Sequence, residues 1–161
     1  MNPIAIALMR RIATIAISLF VALSVGGSVG AQMPPEDVSG TFEVSGLCAF
    51  DVRFDVTGKG STIFLPGGGF ILTSPGLMVT LTNLAAPDHQ VSLNVTGSST
   101  VTDLEDGTTE TVMTGRNLFF DPSVGLVLLI GRWRAVTGEE GTLIEDLEGS
   151  GQLIDVCALL S

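Results

Sequence analysis

Between residues 48 and 57 the chain reads Cys48-Ala49-Phe50-Asp51-Val52-Arg53-Phe54-Asp55-Val56-Thr57. Cys48, Phe50, Val52, Phe54 and Val56 occupy every second position, and Asp51, Arg53, Asp55 and Thr57 fill the positions between. Successive side chains of a strand point to opposite faces, so this alternation predicts a strand with one buried and one solvated face, as antiparallel sheets have. On the solvated face Arg53 separates Asp51 from Asp55, which predicts a salt-bridge row and not the paired carboxylates of a glycosidase.

Working outward from residue 48, alternation recurs and no stretch carries apolar residues at helical spacing. Short runs predict strands at Ser61 to Leu65, Phe70 to Thr73, Leu77 to Asn83, Val91 to Thr96, Thr109 to Phe120, Gly125 to Val136, Thr142 to Leu147 and Gln152 to Cys157. Turn residues punctuate them, among them Gly58-Lys59-Gly60, Pro75-Gly76, Pro87-Asp88, Asp106-Gly107 and Asp121-Pro122. These supply the fixed or positive φ that a reversal requires. The expectation is an all-β domain of nine or ten short strands without helices between them. Short loops favour an antiparallel meander.

Cys48 and Cys157 are the only two cysteines. An even count in an exported protein predicts a disulfide, and two thiolates with a single His do not make a four-ligand zinc site. The bridge closes a loop of about 110 residues, for which chain entropy gives about 4.7 kcal/mol. It is expected to tie the first long strand to the last, which favours closing the meander into a small barrel; the alternative is a β-sandwich.

Export is read from the other end. Arg10 and Arg11 precede an apolar run from Ile12 to Val25, and Val29-Gly30-Ala31 ends it with small residues. This is the layout of a secretory signal peptide cleaved after Ala31, and the run is shorter than the roughly 20 residues of a membrane span. The expected organisation is a signal peptide over 1–31, a flexible lead-in over 32–39 with Pro34 and Pro35, and one all-β domain over 40–161 of a secreted or extracellular protein. All 17 acidic residues lie beyond the signal, while two of the seven basic ones lie inside it, so the mature chain is more acidic than the −10 of the whole. That charge excludes nucleic acid and, once the signal is gone, anionic membrane surfaces as partners. With 45% hydrophobic and 15% charged residues the chain is not disordered.

One predicted strand stands apart. In Gly125 to Val136, Leu126, Leu128 and Ile130 make one apolar face, and Val127 and Leu129 make the other. A strand apolar on both faces needs an outside cover, either a chain terminus or a second molecule. Leu126, Leu128 and Ile130 are therefore the candidate surface for an apolar ligand or a second copy. A charge at Leu128 or Ile130 is expected to abolish that association and leave the fold.

The catalytic alphabet is thin. Gly26-Gly27-Ser28-Val29-Gly30 matches the nucleophile-elbow pattern but sits inside the signal without its strand and helix. His89 is the one imidazole; its Pro-Asp-His-Gln setting reads as a solvated turn. The candidate polar site is His89, Arg116 and Asn117, the constellation a barrel-type isomerase or hydrolase would use. The carboxylates of Asp103 to Glu110 fail the spacing of a calcium loop and read as an acidic hairpin tip. Glu139, Glu140, Glu145, Asp146 and Glu148 form a second acidic cluster. Arg132-Trp133-Arg134 is too small a basic patch for nucleic acid, and Trp133 is expected in the core between Gly131 and Ala135. Gly67-Gly68-Gly69 lacks the Lys-Ser/Thr of a phosphate loop. No catalytic residue, metal or cofactor is assigned.

Six segments taken together resemble a group of small exported all-β proteins of actinobacteria: Cys48-Ala49-Phe50-Asp51-Val52, Pro66-Gly67-Gly68, Thr80-Leu81-Thr82-Asn83, Thr114-Gly115-Arg116-Asn117, Gly131-Arg132 and Asp155-Val156-Cys157-Ala158-Leu159. The resemblance implies an all-β domain with its two cysteines paired, and transfers no activity and no functional residue. The reading is a secreted, disulfide-closed binding or interaction module; the alternatives are an enzyme at His89, Arg116 and Asn117, or a passive cell-surface protein.

Overall fold

The computed structural model describes residues 34–138 and 141–161; the expected signal peptide, its Gly26 to Gly30 match and Glu139 and Glu140 lie outside them. Among the described residues the strands are β1 (Glu36–Asp37), β2 (Gly40–Val44), β3 (Val52–Thr57), β4 (Lys59–Phe64), β5 (Phe70–Thr73), β6 (Met78–Asn83), β7 (Gln90–Asn94), β8 (Gly97–Asp103), β9 (Thr109–Asp121), β10 (Gly125–Thr137) and β11 (Glu148–Asp155). A short helix, α1 (Val156–Leu159), follows. All ladders are antiparallel and build two sheets, ordered β1-β4-β5-β8-β9-β10-β11 and β2-β3-β6-β7. The all-β expectation holds.

Neither sheet closes into a barrel: β1 and β11 end one, and β2 and β7 end the other. The simple meander is corrected as well. β8 to β11 run as a meander and β2–β3, β4–β5 and β6–β7 pair as sequence neighbours, but β3 pairs with β6 and β5 with β8 as the chain passes between sheets. Gly58 makes one such passage possible. Its φ is +136°, and a Cβ there would stand 2.8 Å from the Gly76 oxygen at the next passage, so only glycine fits.

The core forms where the four-stranded sheet meets one face of β9, β10 and β11. Val52, Phe54 and Val56 of β3 are buried there as their alternation predicts, with Val79, Leu81, Leu126 and Leu128. Phe42 stacks on Phe54 directly across the β2–β3 ladder, ring centroids 5.0 Å apart. Outside, Arg53 pairs with Asp55 at 3.1 Å, and Thr41 donates to the same carboxylate at 2.8 Å.

The disulfide forms between Cys48 and Cys157, 109 positions apart with Cα atoms 5.5 Å apart. It does not join strand to strand. Cys48 lies in the bend before β3 and Cys157 within α1, which Asp155 starts by accepting from the Ala158 amide at 2.9 Å. Behind the bridge Val156 and Leu160 are fully buried, each worth about 1.5–3 kcal/mol. Buried Asn83 donates to the Leu160 carbonyl at 3.0 Å, so the C-terminal segment is docked by packing, a hydrogen bond and a covalent link.

The expected strand Thr142 to Leu147 is instead a strap with a single bridge, Leu143 to Thr137. Within the expected lead-in, Glu36 and Asp37 pair with Gly60 and Lys59.

Candidate functional site

The strap answers the question posed by β10. Val127 and Leu129 are 0% exposed on the face away from the four-stranded sheet, where they cluster with Met113 and Ala135. Leu143 and Leu147 of the strap pack on that cluster beside Phe119 and Trp133. The chain supplies its own cover. Arg134 anchors it, bonding Glu110 of β9 and, at 2.8 Å, Glu145 of the strap; these carboxylates hold the guanidinium pKa above its ordinary value.

On the opposite face Leu126 and Leu128 are 2% and 1% exposed, within the core between the sheets, and Ile130 packs at its margin. Leu126 and Leu128 therefore present no outward surface for a ligand or second copy, because the four-stranded sheet already occupies their face, and Ile130 is half-buried. A charge at Leu128 strikes the core before it strikes any interface.

His89, Arg116 and Asn117 do not converge. The β9 register with β10 places Leu118 and Phe120 in the inter-sheet core and Met113 and Phe119 in the outer cluster, so Arg116 shares the inner face and Asn117 the outer. Asn117 is 9% exposed; it donates to the Thr114 carbonyl at 3.0 Å and accepts from Ser99. Arg116 donates from Nε to the Asn94 carbonyl at 2.8 Å, at one end of β7. His89 precedes the other end of β7, in the turn its amide helps close by donating to Ala86 at 2.9 Å. Five residues of strand separate the two ends, about 17 Å.

The acidic hairpin tip uses its carboxylates on its own turn. Asp106 accepts from the Thr108 hydroxyl and amide, which lowers its pKa, and Asp103 accepts from Thr109 at 3.1 Å. Among the described residues no group of three His, Cys, Asp or Glu could hold a metal ion, and no helix is long and apolar enough to cross a membrane.

A different place gathers polar groups. Gly97, Gly115, Gly131 and Gly151 stand side by side across β8, β9, β10 and β11. Gly115, Gly131 and Gly151 have φ of +85°, +123° and +136°, and a Cβ on Gly131 or Gly151 would run into the neighbouring strand's carbonyl. The result is a backbone crease across the seven-stranded sheet.

On one side of the crease the inner face carries Leu118, Phe120, Leu126, Leu128 and Ile154 of the core. On the other, Thr73, Ser98, Thr114, Arg132 and Ser150 stand in one cross-strand row. Ser98 and Thr114 share a hydrogen bond of 2.7 Å. A shallow groove of about 370 Å³ lies at the β8–β9 end of the crease, lined by Thr73, Ser74, Thr96, Ser98 and Thr114. Ser74 fixes one wall by donating to the Val95 and Gly97 carbonyls at 2.7 and 3.1 Å.

Sequence reasoning missed this groove. Its signal was the repeated pair Gly115-Arg116 and Gly131-Arg132: a hairpin turning at Pro122 to Val124 sets the two glycines opposite each other. No family model matches the chain, and comparison with curated proteins and with solved structures finds no match.

Proposed function

We propose that the chain is an exported binding module, a disulfide-locked two-sheet β-sandwich that meets its ligand or partner on its surface. The observation that carries this reading is the open, hydroxyl-lined groove at the glycine crease, beside the strand positions of Arg116 and Arg132, while the apolar face of β10 is filled by the chain itself. An unclosed pair of sheets with a packed interior supports surface recognition over a ligand held in a barrel lumen. The disulfide fits an oxidising compartment. The separation of His89 from Arg116, and of Arg116 from Asn117 across the sheet, favours binding over acid-base catalysis.

Native mass spectra of the protein purified from culture medium test the reading. A complex, either with a copurified small molecule or a partner chain, is the expected result when intact and denatured unreduced masses are compared. A bare monomer across preparations would overturn it in favour of a passive surface protein.

A further inference from the structure

We propose that Arg116 and Arg132 form a site for a sugar acid, a small hydroxylated ligand carrying one carboxylate, seated along the groove; this rests on the surface-binding reading and names its ligand class. Arg116 stands opposite Ile130 and Arg132 opposite Thr114, so the two arginines are diagonal neighbours on the inner face of adjacent strands. Such neighbours lie about 7–8 Å apart, within reach of each other's long side chains. The other two described arginines each have a carboxylate, Arg53 in Asp55 and Arg134 in Glu110 and Glu145, and Lys59 stands in register with Asp37. Among the described residues Arg116 and Arg132 have no carboxylate within ion-pair distance. The nearest acid by register is Glu148, opposite Arg134 and diagonal to Arg132, and it turns to Arg134 at 3.9 Å.

Two like charges side by side disfavour each other, and an oxyanion between them removes that cost while gaining charge-assisted hydrogen bonds. Arg116 is already oriented, since its Nε is fixed on the Asn94 carbonyl and its two terminal nitrogens remain to bind. From Arg132 the row continues through Thr114 and Ser98 to Thr73, about 4.8 Å per strand, a run of hydroxyls suited to the hydroxyls of a sugar ring. The groove volume suits a small ligand. The net charge of −10 repels a polyanion, so one carboxylate on a neutral, hydroxylated frame fits better than a nucleic acid.

The test is an amide chemical-shift titration of the folded, oxidised protein with glucuronate, glucose and inorganic sulfate. Glucuronate is expected to shift Thr114, Arg116 and Arg132 together with Thr73 and Ser98, with glucose at least about tenfold weaker. Sulfate is expected to bind more weakly and to shift the arginine end alone. Arg132→Gln removes no described hydrogen bond and should weaken glucuronate about tenfold, as should Arg116→Gln, while Lys59→Gln leaves it unchanged. Equal binding of glucose, sulfate as tight as glucuronate, or unchanged binding in Arg132→Gln would each overturn the site. If a copurified ligand survives in the doubly substituted protein, the surface-binding reading stands and this site falls; a bare monomer that ignores glucuronate defeats both.

Discussion

Strand β10 is two strands in character, divided at Gly131. From Leu126 to Leu129 both faces are buried, one against the four-stranded sheet and one under the strap. From Arg132 onward the outer face stays apolar, with Trp133 and Ala135, but the inner face carries Arg132 and Arg134. The same ladder with β9 runs through both halves without a break. Hydrogen bonding is thus indifferent to the division, and what changes is which surface the four-stranded sheet reaches. The apolar half packs the core between the sheets, and the polar half carries its arginines beyond it.

The contrast can be broken most severely in the apolar half. Leu128→Ala should cost about 2–5 kcal/mol, read by urea denaturation, because it opens a cavity between the sheets. Leu128→Asp should fail to fold at all, where an exposed interface residue would have given a folded monomer. Opening the Cys48–Cys157 bridge with paired serines should cost about 2–5 kcal/mol by the same measurement, and increase hydrogen exchange first in α1.

At the boundary, Gly131→Ala should cost about 1–3 kcal/mol, since its φ of +123° and the Ser150 carbonyl both exclude a Cβ. A substitution this costly at a residue with no side chain would locate the crease; a neutral result would mean the sheet bends without it. The smallest effect concerns the solvated face of β3. Asp55 has a lowered pKa, chiefly from the Thr41 hydrogen bond, so its contribution is present above about the ordinary 3.8 and is lost as pH falls through the folded value. Asp55→Asn should therefore be less stable than the parent at neutral pH and converge with it in acid, as thermal melts across pH would show.

Much of this was legible before any coordinates. Val52 to Thr57 alternates so regularly that its buried and solvated faces follow from the period of two alone, although the expected strand from Cys48 is a bend up to Phe50. β8 was invisible because Gly97-Ser98-Ser99-Thr100-Val101-Thr102-Asp103 has almost no apolar alternation; the partners β5 and β9 make it a strand. The segment Thr142 to Leu147 misled for the opposite reason. Leu143 and Leu147 supply apolar residues, but they dock on the outer cluster and pair with no neighbouring strand. Arg116 was singled out for chemistry with the wrong companions, since adjacent residues in a strand face opposite ways and Asn117 had to be lost to it. Its companion Arg132 becomes visible only once β9 and β10 are laid in register.

The strap over Val127 and Leu129 also bears on how the chain avoids its neighbours while it folds. The run Leu126-Val127-Leu128-Leu129-Ile130 is β-prone and uncharged, the kind of segment that seeds intermolecular stacking when left open. Leu143 follows Leu129 by so short a length of chain that its effective concentration at that face is of millimolar order, and loops of such length close within about a microsecond. A second molecule at ordinary dilution cannot compete with a cover tethered so near. The connection between β10 and β11 is thereby a built-in gatekeeper, arriving at the exposed face before another chain can.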